Sequence, residues 1–129
     1  MPSLKGCAIL IVEDERVVAT AVQRTLDAQG AVTRIASSVD QAEVTLSDFD
    51  ASVVLLDLVL PGFNGLELAR RLRADSTTRP RLIVAMTGWQ GEDADRTCRA
   101  AGCDAYIAKP FASAALTSLL SRLVERRPH

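Results

Sequence analysis

The sequence predicts an α/β fold in which a five-stranded parallel sheet is covered by helices on both faces. Wholly apolar runs at 8–12, 53–56 and 82–86 are typical of strands that are buried on both faces. Segments with helical spacing of apolar residues separate the strands, so that strand and helix alternate five times with short connections. Right-handed crossovers then bring the carboxyl ends of all the strands to one edge of the sheet, where ligands of such folds bind.

Length and composition indicate one globular domain over 1–129, with a core at about 7–127, because 48% of the 129 residues are hydrophobic. The net charge of −1 gives no electrostatic reason to bind nucleic acid directly. No apolar run approaches the length of a membrane span, and the first residues lack the pattern of a signal peptide.

Cysteine and histidine usage narrows the chemistry. The three cysteines, Cys7, Cys98 and Cys103, are an odd number without Cys-x-x-Cys spacing, which favours a reduced, cytoplasmic protein with these side chains in or near the core. The single histidine is His129, which excludes Ser-His-Asp and Cys-His catalysis and nearly all zinc sites.

The first half of the chain predicts two strand–helix units. The strand at 8–12 ends in acidic residues, and the helix after it carries Val18, Val22 and Leu26 on one stripe and ends at Gly30. The strand predicted at 31–36 includes polar residues, which is typical of a strand at the edge of a sheet. Ser38 or Asp40 caps the next helix, which runs through Leu46.

The central strand ends in Asp57 and is followed by a short apolar spacer and Pro61-Gly62. The helix after Gly65 presents an apolar stripe to the core, and the spacing turns Arg70, Arg71 and Arg73 toward solvent. Arg79-Pro80-Arg81 breaks that helix.

The last two units follow the same pattern. The strand at 82–86 ends at Thr87-Gly88-Trp89, and a helix at 92–101 with a weak apolar stripe ends at Gly102. The strand at 104–108 ends at Lys109-Pro110-Phe111. Four leucines at helical spacing mark the final helix, namely Leu116, Leu119, Leu120 and Leu123.

Five polar or charged side chains therefore follow the carboxyl ends of four strands: Glu13 and Asp14, Asp57, Thr87, and Lys109. Two like charges about 4 Å apart repel by roughly 4 kcal/mol at an effective dielectric near 20, so three clustered carboxylates need a cation. The lysine relieves part of this repulsion. Hard oxygen ligands without histidine favour Mg²⁺ or a similar divalent ion for the rest.

Four segments in this order and spacing make the chain resemble the receiver (phosphoacceptor) domain of two-component response regulators. They are Val-Glu-Asp-Glu at 12–15, Leu-Asp-Leu-Val-Leu-Pro-Gly-Phe-Asn-Gly at 56–65, Met-Thr-Gly at 86–88 and Tyr-Ile-Ala-Lys-Pro-Phe at 106–111. The resemblance covers nearly the whole chain and implies a flavodoxin-like strand order of 2-1-3-4-5.

The resemblance also implies roles for the acidic residues. Asp57 is the nucleophile that accepts a phosphoryl group from a phosphohistidine on a histidine kinase or a histidine phosphotransfer protein. Asp14, Asp57 and the backbone carbonyl of Val59 bind Mg²⁺ (or Mn²⁺), and Glu13 acts mainly through water. The downstream target is not defined by the sequence, and no membrane partner is expected.

The remaining roles concern the phosphoryl group and the switch. Lys109, whose peptide bond to Pro110 is expected to be cis, and Thr87 bind phosphoryl oxygens. Thr87 and Tyr106 form the switch, because movement of Thr87 toward the phosphate opens space for the tyrosine. Apolar Val59 and bulky Trp89 depart from commoner patterns and orient an attacking water poorly, which predicts a long-lived phosphoryl group. The side chain of Trp89 fits a partner-binding patch equally well.

Three other interpretations stay open at this point. One is an aspartyl-nucleophile phosphatase-like enzyme, although such enzymes carry an acid where this chain has Val59. Another is a binding module that takes no phosphate, which the full set of site residues disfavours. The third is a receiver detached from a hybrid histidine kinase and acting as a relay intermediate. The Thr87-Gly88-Trp89 turn is similar to that of hybrid-kinase receivers. The sequence favours a self-phosphorylating switch with at most slow autodephosphorylation over a turnover enzyme.

Overall fold

A computed structural model describes residues 4–60, 63–75, 82–89 and 91–126 of the chain. The strands are β1 Ala8–Val12, β2 Val32–Ala36, β3 Val53–Asp57, β4 Val59–Leu60, β5 Phe63–Asn64, β6 Leu82–Thr87 and β7 Ala105–Ala108. The helices are α1 Arg16–Ala28, α2 Val39–Leu46, α3 Gly65–Ala74, α4 Glu92–Ala100 and α5 Ser113–Arg126.

Five of the strands form one parallel sheet in the order β2-β1-β3-β6-β7. Counted in chain order among themselves, these strands have the order 2-1-3-4-5, which confirms the predicted fold class. The edge position of β2 is also confirmed. The central β3 is buried at every position, as expected of a strand with helices on both faces.

Helices cover the two faces of the sheet unequally. On one face, Val22 and Leu26 of α1 and Leu116 and Leu120 of α5 pack against alternate strand residues. On the other face, α2, α3 and α4 pack against the remaining strand positions. The first of these cores already includes Leu4, whose side chain is 1% exposed.

The helix ends follow the predicted chemistry. The Ser38 hydroxyl accepts a hydrogen bond from the backbone N–H of Gln41 and caps α2. Gly102 has a φ of +99° just after α4, where the N–H of Cys103 donates to the carbonyl of Cys98. This pattern is a Schellman motif, and the apolar contact that usually accompanies it is here a pair of buried thiols.

A two-stranded ribbon of β4 and β5 was not predicted. It lies between Asp57 and α3, with Val59 opposite Asn64 and Leu60 opposite Phe63. Strands of two residues show no alternation of apolar and polar positions, so the segment reads only as an apolar spacer.

The prediction that Arg73 faces solvent was wrong, because its guanidinium turns toward the loop before β7. It donates to the carbonyl of Gly102 at 3.1 and 2.8 Å and to the carboxylate of Asp104 at 2.6 Å. The same Asp104 oxygen accepts the N–H of Ile83 at 2.8 Å. These contacts join α3 to the beginnings of β6 and β7.

Some segments named in the sequence analysis lie outside the described residues, namely Pro61-Gly62, the predicted helix break at 79–81 and His129. Among the helices that are described, none combines the length and the hydropathy needed to span a membrane.

Candidate functional site

The sheet brings the predicted acidic residues together. Glu13 and Asp14 directly follow β1, Asp57 is the last residue of the adjacent β3, and both strands run in the same direction. Each of the three carboxylates offers an oxygen, and these oxygens lie within 4.8 Å of one another. In the described part of the chain, this is the one group of acidic, cysteine or histidine side chains close enough to share a metal ion.

Lys109 provides the cation of the site. Its Nζ lies 2.7 Å from Oε1 of Glu13 and 3.3 Å from Oδ2 of Asp57. Its backbone N–H donates to the carbonyl of Thr87 at 2.7 Å, which continues the pairing of β6 with β7 one residue past the end of β7. The Lys109–Pro110 peptide bond is cis, as the resemblance implies.

The acidic partners of Lys109 are buried, which affects the pKa values of Glu13 and Lys109. Glu13 is 1% exposed and Asp57 is 7% exposed, whereas the Lys109 side chain is 29% exposed. Burial raises the pKa of Glu13, and the hydrogen bond from Lys109 opposes this shift. Burial also acts to lower the pKa of Lys109, but the hydrogen bond to Glu13 and the charge of Asp57 outweigh it, so that the pKa is raised. The ammonium form is therefore held firmly between the two acids.

The carboxylate of Asp57 is oriented at both oxygens. Oδ1 accepts the backbone N–H of Val59 at 3.0 Å, and Oδ2 faces the ammonium of Lys109 at 3.3 Å. Since the two contacts come from different segments of the chain, they fix the rotation of the carboxylate.

The residue set suits a hard divalent cation. Three clustered carboxylates and one ammonium carry a net charge of −2, and such a set of oxygen ligands prefers Mg²⁺ or Mn²⁺ to softer metals. Asp14 is the exposed member of the three, so its carboxylate is open to an entering ion.

The two predicted switch residues lie on neighbouring strands. Thr87 is 2% exposed, and its Oγ1 accepts the backbone N–H of Trp89 at 3.0 Å. Tyr106 is half-buried and pairs with Ala85, so both switch residues belong to the same face of the sheet. The Tyr106 hydroxyl donates to the carbonyl of Gly91, just before α4, at 3.4 Å.

Exposed apolar side chains follow three of the strand ends near the acidic residues. Val17 is 81% exposed, Val59 is 70% exposed and Trp89 is 44% exposed. Next to Lys109, the first turns of α1 and the start of α5 border a mainly apolar cavity of about 520 Å³. Apolar groups in these positions are typical of a surface that contacts another molecule.

Sequence reasoning missed one feature of this site. The carboxylate of Glu13 contacts Lys109 directly and more closely than that of Asp57 does, and the water-mediated role of Glu13 at the metal stays a prediction. The composition marks only the lysine, because a chain with thirteen arginines uses only two lysines, and it gives no signal for the acid that the lysine contacts.

Comparisons with known proteins agree with this geometry. A family model described as "Response regulator receiver domain" matches residues 9–121. The chain is 35% identical over 121 residues to "Phosphate regulon transcriptional regulatory protein PhoB" of Pseudomonas aeruginosa. This match covers 94% of this chain and 53% of that protein. It therefore spans about half the length of the curated relatives that it matches.

Solved structures give the same result. A putative response regulator from Chloroflexus aurantiacus superposes with a TM-score of 0.86 and 28% identity, covering 95% of this chain and 100% of that chain. The receiver domain of sensor histidine kinase PA1611 from Pseudomonas aeruginosa, described with a magnesium ion coordinated in its active site cleft, has a TM-score of 0.81 and 30% identity, covering 93% and 98%. Together with the family match over most of its length, these likenesses show that the chain belongs to the response regulator receiver domain family.

Proposed function

We propose that this chain is the phosphoacceptor of a two-component phosphorelay and that Asp57 carries the phosphoryl group. The observation that supports this most directly is the arrangement around Asp57, where two further carboxylates and the ammonium of Lys109 converge on one buried edge of an apolar sheet. A purely structural aspartate has no need of such neighbours, because clustered acids repel one another.

The transfer step uses groups of the chain mainly for positioning and charge neutralisation. An oxygen of the Asp57 carboxylate donates an electron pair to phosphorus, and the N–P bond of the donor's phosphohistidine breaks. The electron pair of that bond returns to the donor imidazole. Lys109, already 3.3 Å from Oδ2 of Asp57, neutralises one phosphoryl oxygen, and the Thr87 hydroxyl donates to another.

A bound Mg²⁺ (or Mn²⁺) supplies further neutralisation of the phosphoryl charge. In this proposal Asp14, Asp57 and the backbone carbonyl of Val59 hold the ion, and Glu13 contributes through water. Support comes from the clustered carboxylate oxygens and from the magnesium ion in the cleft of the PA1611 receiver domain.

The output of phosphorylation is a change in the surface around α4 and β7. Movement of Thr87 toward the phosphoryl group would separate its Oγ1 from the N–H of Trp89, and Tyr106 would leave the carbonyl of Gly91 and turn inward. Both existing contacts are single hydrogen bonds, so a phosphoryl group can outweigh them.

The donor is a histidine kinase or a histidine phosphotransfer protein, since the exposed apolar side chains of Val17, Val59 and Trp89 suit docking of a protein. The proposal includes a cytoplasmic location, where such donors present their histidines. The relative from Pseudomonas aeruginosa is named as a transcriptional regulator, but we propose no direct contact of this chain with nucleic acid, because its net charge is −1.

Acetyl phosphate with Mg²⁺ tests the proposal. We expect the intact protein to gain one phosphoryl group by mass spectrometry, and we expect Asp57→Asn to gain none. Asp48→Asn is the matched control, because it removes the same charge from a side chain that is 78% exposed and distant from the site. Equal labelling of wild type and Asp57→Asn would contradict the assignment of Asp57.

Two related functions are separated by further measurements. A receiver from a hybrid kinase would pass its phosphoryl group on to a histidine phosphotransfer protein rather than keep it; the 30% identity to the receiver domain of sensor histidine kinase PA1611 is the reason to test this. A phosphatase-like enzyme would turn over p-nitrophenyl phosphate many times per chain. We propose no such turnover, because residue 59, two positions after Asp57, is an exposed valine without an acidic group.

A further inference from the structure

Gly65 occupies a position where helix propensity favours almost any other residue. It is the first residue of α3, directly after the capping Asn64, whose Oδ1 accepts the N–H of Leu66 at 2.8 Å. Its backbone does not have the positive φ that would demand glycine. Alanine would form this helical turn better than glycine, so the reason for glycine must lie in its surroundings.

The surroundings leave no room for a side chain. A Cβ atom on Gly65 would lie 2.6 Å from the carbonyl oxygen of Asp57 and 2.6 Å from Cα of Leu58. Both are backbone atoms, which cannot rotate away as the end of a flexible side chain can. Any substitution must therefore move the chain at 57–58 or the start of α3.

Hydrogen bonds connect this close approach to the carboxylate of Asp57. The N–H of Gly65 donates to the carbonyl oxygen of Leu58 at 3.0 Å. The N–H at the other end of the same peptide group belongs to Val59 and donates to Oδ1 of Asp57 at 3.0 Å. The Leu58–Val59 peptide group is thus held by Gly65 on one side and holds the carboxylate on the other.

We propose that Gly65 is a positioning residue for the phosphoryl transfer to Asp57, acting through the Leu58–Val59 peptide group; the inference rests on the proposed function. The absence of a side chain lets α3 approach the end of β3, and this approach sets the plane of the peptide that orients Oδ1 of Asp57. The same placement governs the backbone at Val59, whose carbonyl belongs to the proposed metal site.

The test compares Gly65→Ala with Gly102→Ala. Gly102 lies before β7, at the opposite edge of the sheet, and has a φ of +99° and a Cβ position 3.2 Å from the side chain of Arg73. Alanine there destabilises the fold without touching the site, so it controls for loss of stability. Thermal unfolding, the rate of phosphorylation at saturating acetyl phosphate and Mg²⁺ affinity by calorimetry are measured for both variants.

We expect Gly65→Ala to slow phosphorylation by about tenfold to a hundredfold, since small displacements of reacting groups have effects of this size. It should also weaken Mg²⁺ binding, while Gly102→Ala leaves both quantities within about twofold of wild type at a similar loss of thermal stability. A folded Gly65→Ala protein with wild-type phosphorylation overturns the proposal. So does a Gly102→Ala protein that loses as much phosphorylation as Gly65→Ala.

Amide resonances provide a second test that does not depend on Gly65→Ala folding or on phosphorylation. In Asp57→Ala, the N–H of Val59 loses its acceptor, and we expect the amide proton resonances of both Val59 and Gly65 to shift, while that of Gly102 stays in place. An unshifted Gly65 resonance overturns the proposal. Failure of the wild type to take a phosphoryl group would instead contradict the proposed function, and the resonances would still decide the positioning role.

Discussion

Replacement of Lys109 by methionine should separate two opposing effects of its ammonium group. The ammonium stabilises the buried carboxylates of the site, and it competes with Mg²⁺ for them. The side chain keeps its length but loses the charge that lies 2.7 Å from Glu13 and 3.3 Å from Asp57. Removing one partner of a buried ion pair costs about 3–5 kcal/mol. We expect the lower end, about 3 kcal/mol of unfolding free energy, because the Lys109 side chain is 29% exposed and Glu13 can take up a proton.

The pH dependence of this loss follows from Glu13. Burial raises its pKa in the folded state above the ordinary value, so its contribution to stability is present below an unfolded pKa of about 4.3 and is lost as pH rises through the folded pKa. Without Lys109 the folded pKa rises further. The difference in stability between wild type and variant should therefore shrink on acidification and be largest at neutral pH.

The affinity for Mg²⁺ should change in the opposite direction from the stability, because it should be higher in the variant than in the wild type. In the wild type an entering ion competes with the ammonium for the carboxylates of Glu13 and Asp57, and a hydrogen bond between charged groups is worth about 1.5–3 kcal/mol. We therefore expect Lys109→Met to bind Mg²⁺ about tenfold more tightly, which adds about 1.4 kcal/mol to its stabilisation by the ion. Phosphorylation should nevertheless fall by at least about a hundredfold, because one group that neutralises the phosphoryl oxygens is gone.

Urea unfolding with and without millimolar Mg²⁺, together with calorimetric titration, measures these effects. Arg70→Met is the control, since it removes one positive charge from an ion pair in which both side chains are about half exposed. Equal or weaker Mg²⁺ binding by Lys109→Met would refute the reasoning, and so would phosphorylation at the wild-type rate.

Three further predictions concern the lifetime of the phosphoryl group, the arginine bridge and the thiols. Val59→Asn should speed phosphoryl loss about fivefold, because one hydrogen bond to the attacking water is worth about 1 kcal/mol; loss from the wild type within seconds would contradict a protected site. Arg73→Met should lower the unfolding free energy by about 2 kcal/mol in urea titrations, against about 0.5 or less for Arg70→Met. Cys98 and Cys103 are both buried, and burial raises the pKa of Cys103 to about 12. Both thiols should therefore resist iodoacetamide near neutral pH until the chain is unfolded, and rapid labelling of the folded protein would contradict this prediction.

The fold could be predicted because its strands are buried or exposed in simple ways. The apolar run at 53–56 forms four of the five positions of β3, all of them buried, so its composition alone identifies the strand. The alternation in β2 likewise marks a strand with one edge free of partners. The ribbon of β4 and β5 escaped prediction because it is only two residue pairs long and lies beside the close approach of α3 to the end of β3, neither of which leaves a periodic pattern.

The position of Arg73 shows a different limit of sequence reasoning. Helical spacing correctly indicates that this side chain leaves the apolar stripe of α3. It does not indicate what lies beside the helix, and here the turn after α4 presents the carbonyl of Gly102 and the carboxylate of Asp104. A residue on the polar side of its own helix can therefore be a partly buried contact between elements.

The acidic site itself was predictable as a set of residues, while its pairing was not. Parallel strands deliver whatever follows them to one edge, so the chain order of Glu13, Asp57 and Lys109 suffices to bring them together. The pairing depends on side-chain conformations, and it gives Lys109 its closest contact with Glu13 rather than with the proposed nucleophile. This arrangement leaves Asp57 with the weaker cation contact. In the proposed function, we therefore expect the ammonium to shift toward an arriving phosphoryl group while a divalent ion takes over the carboxylates, so that an exchange of partners at Lys109 would link metal binding to phosphoryl transfer.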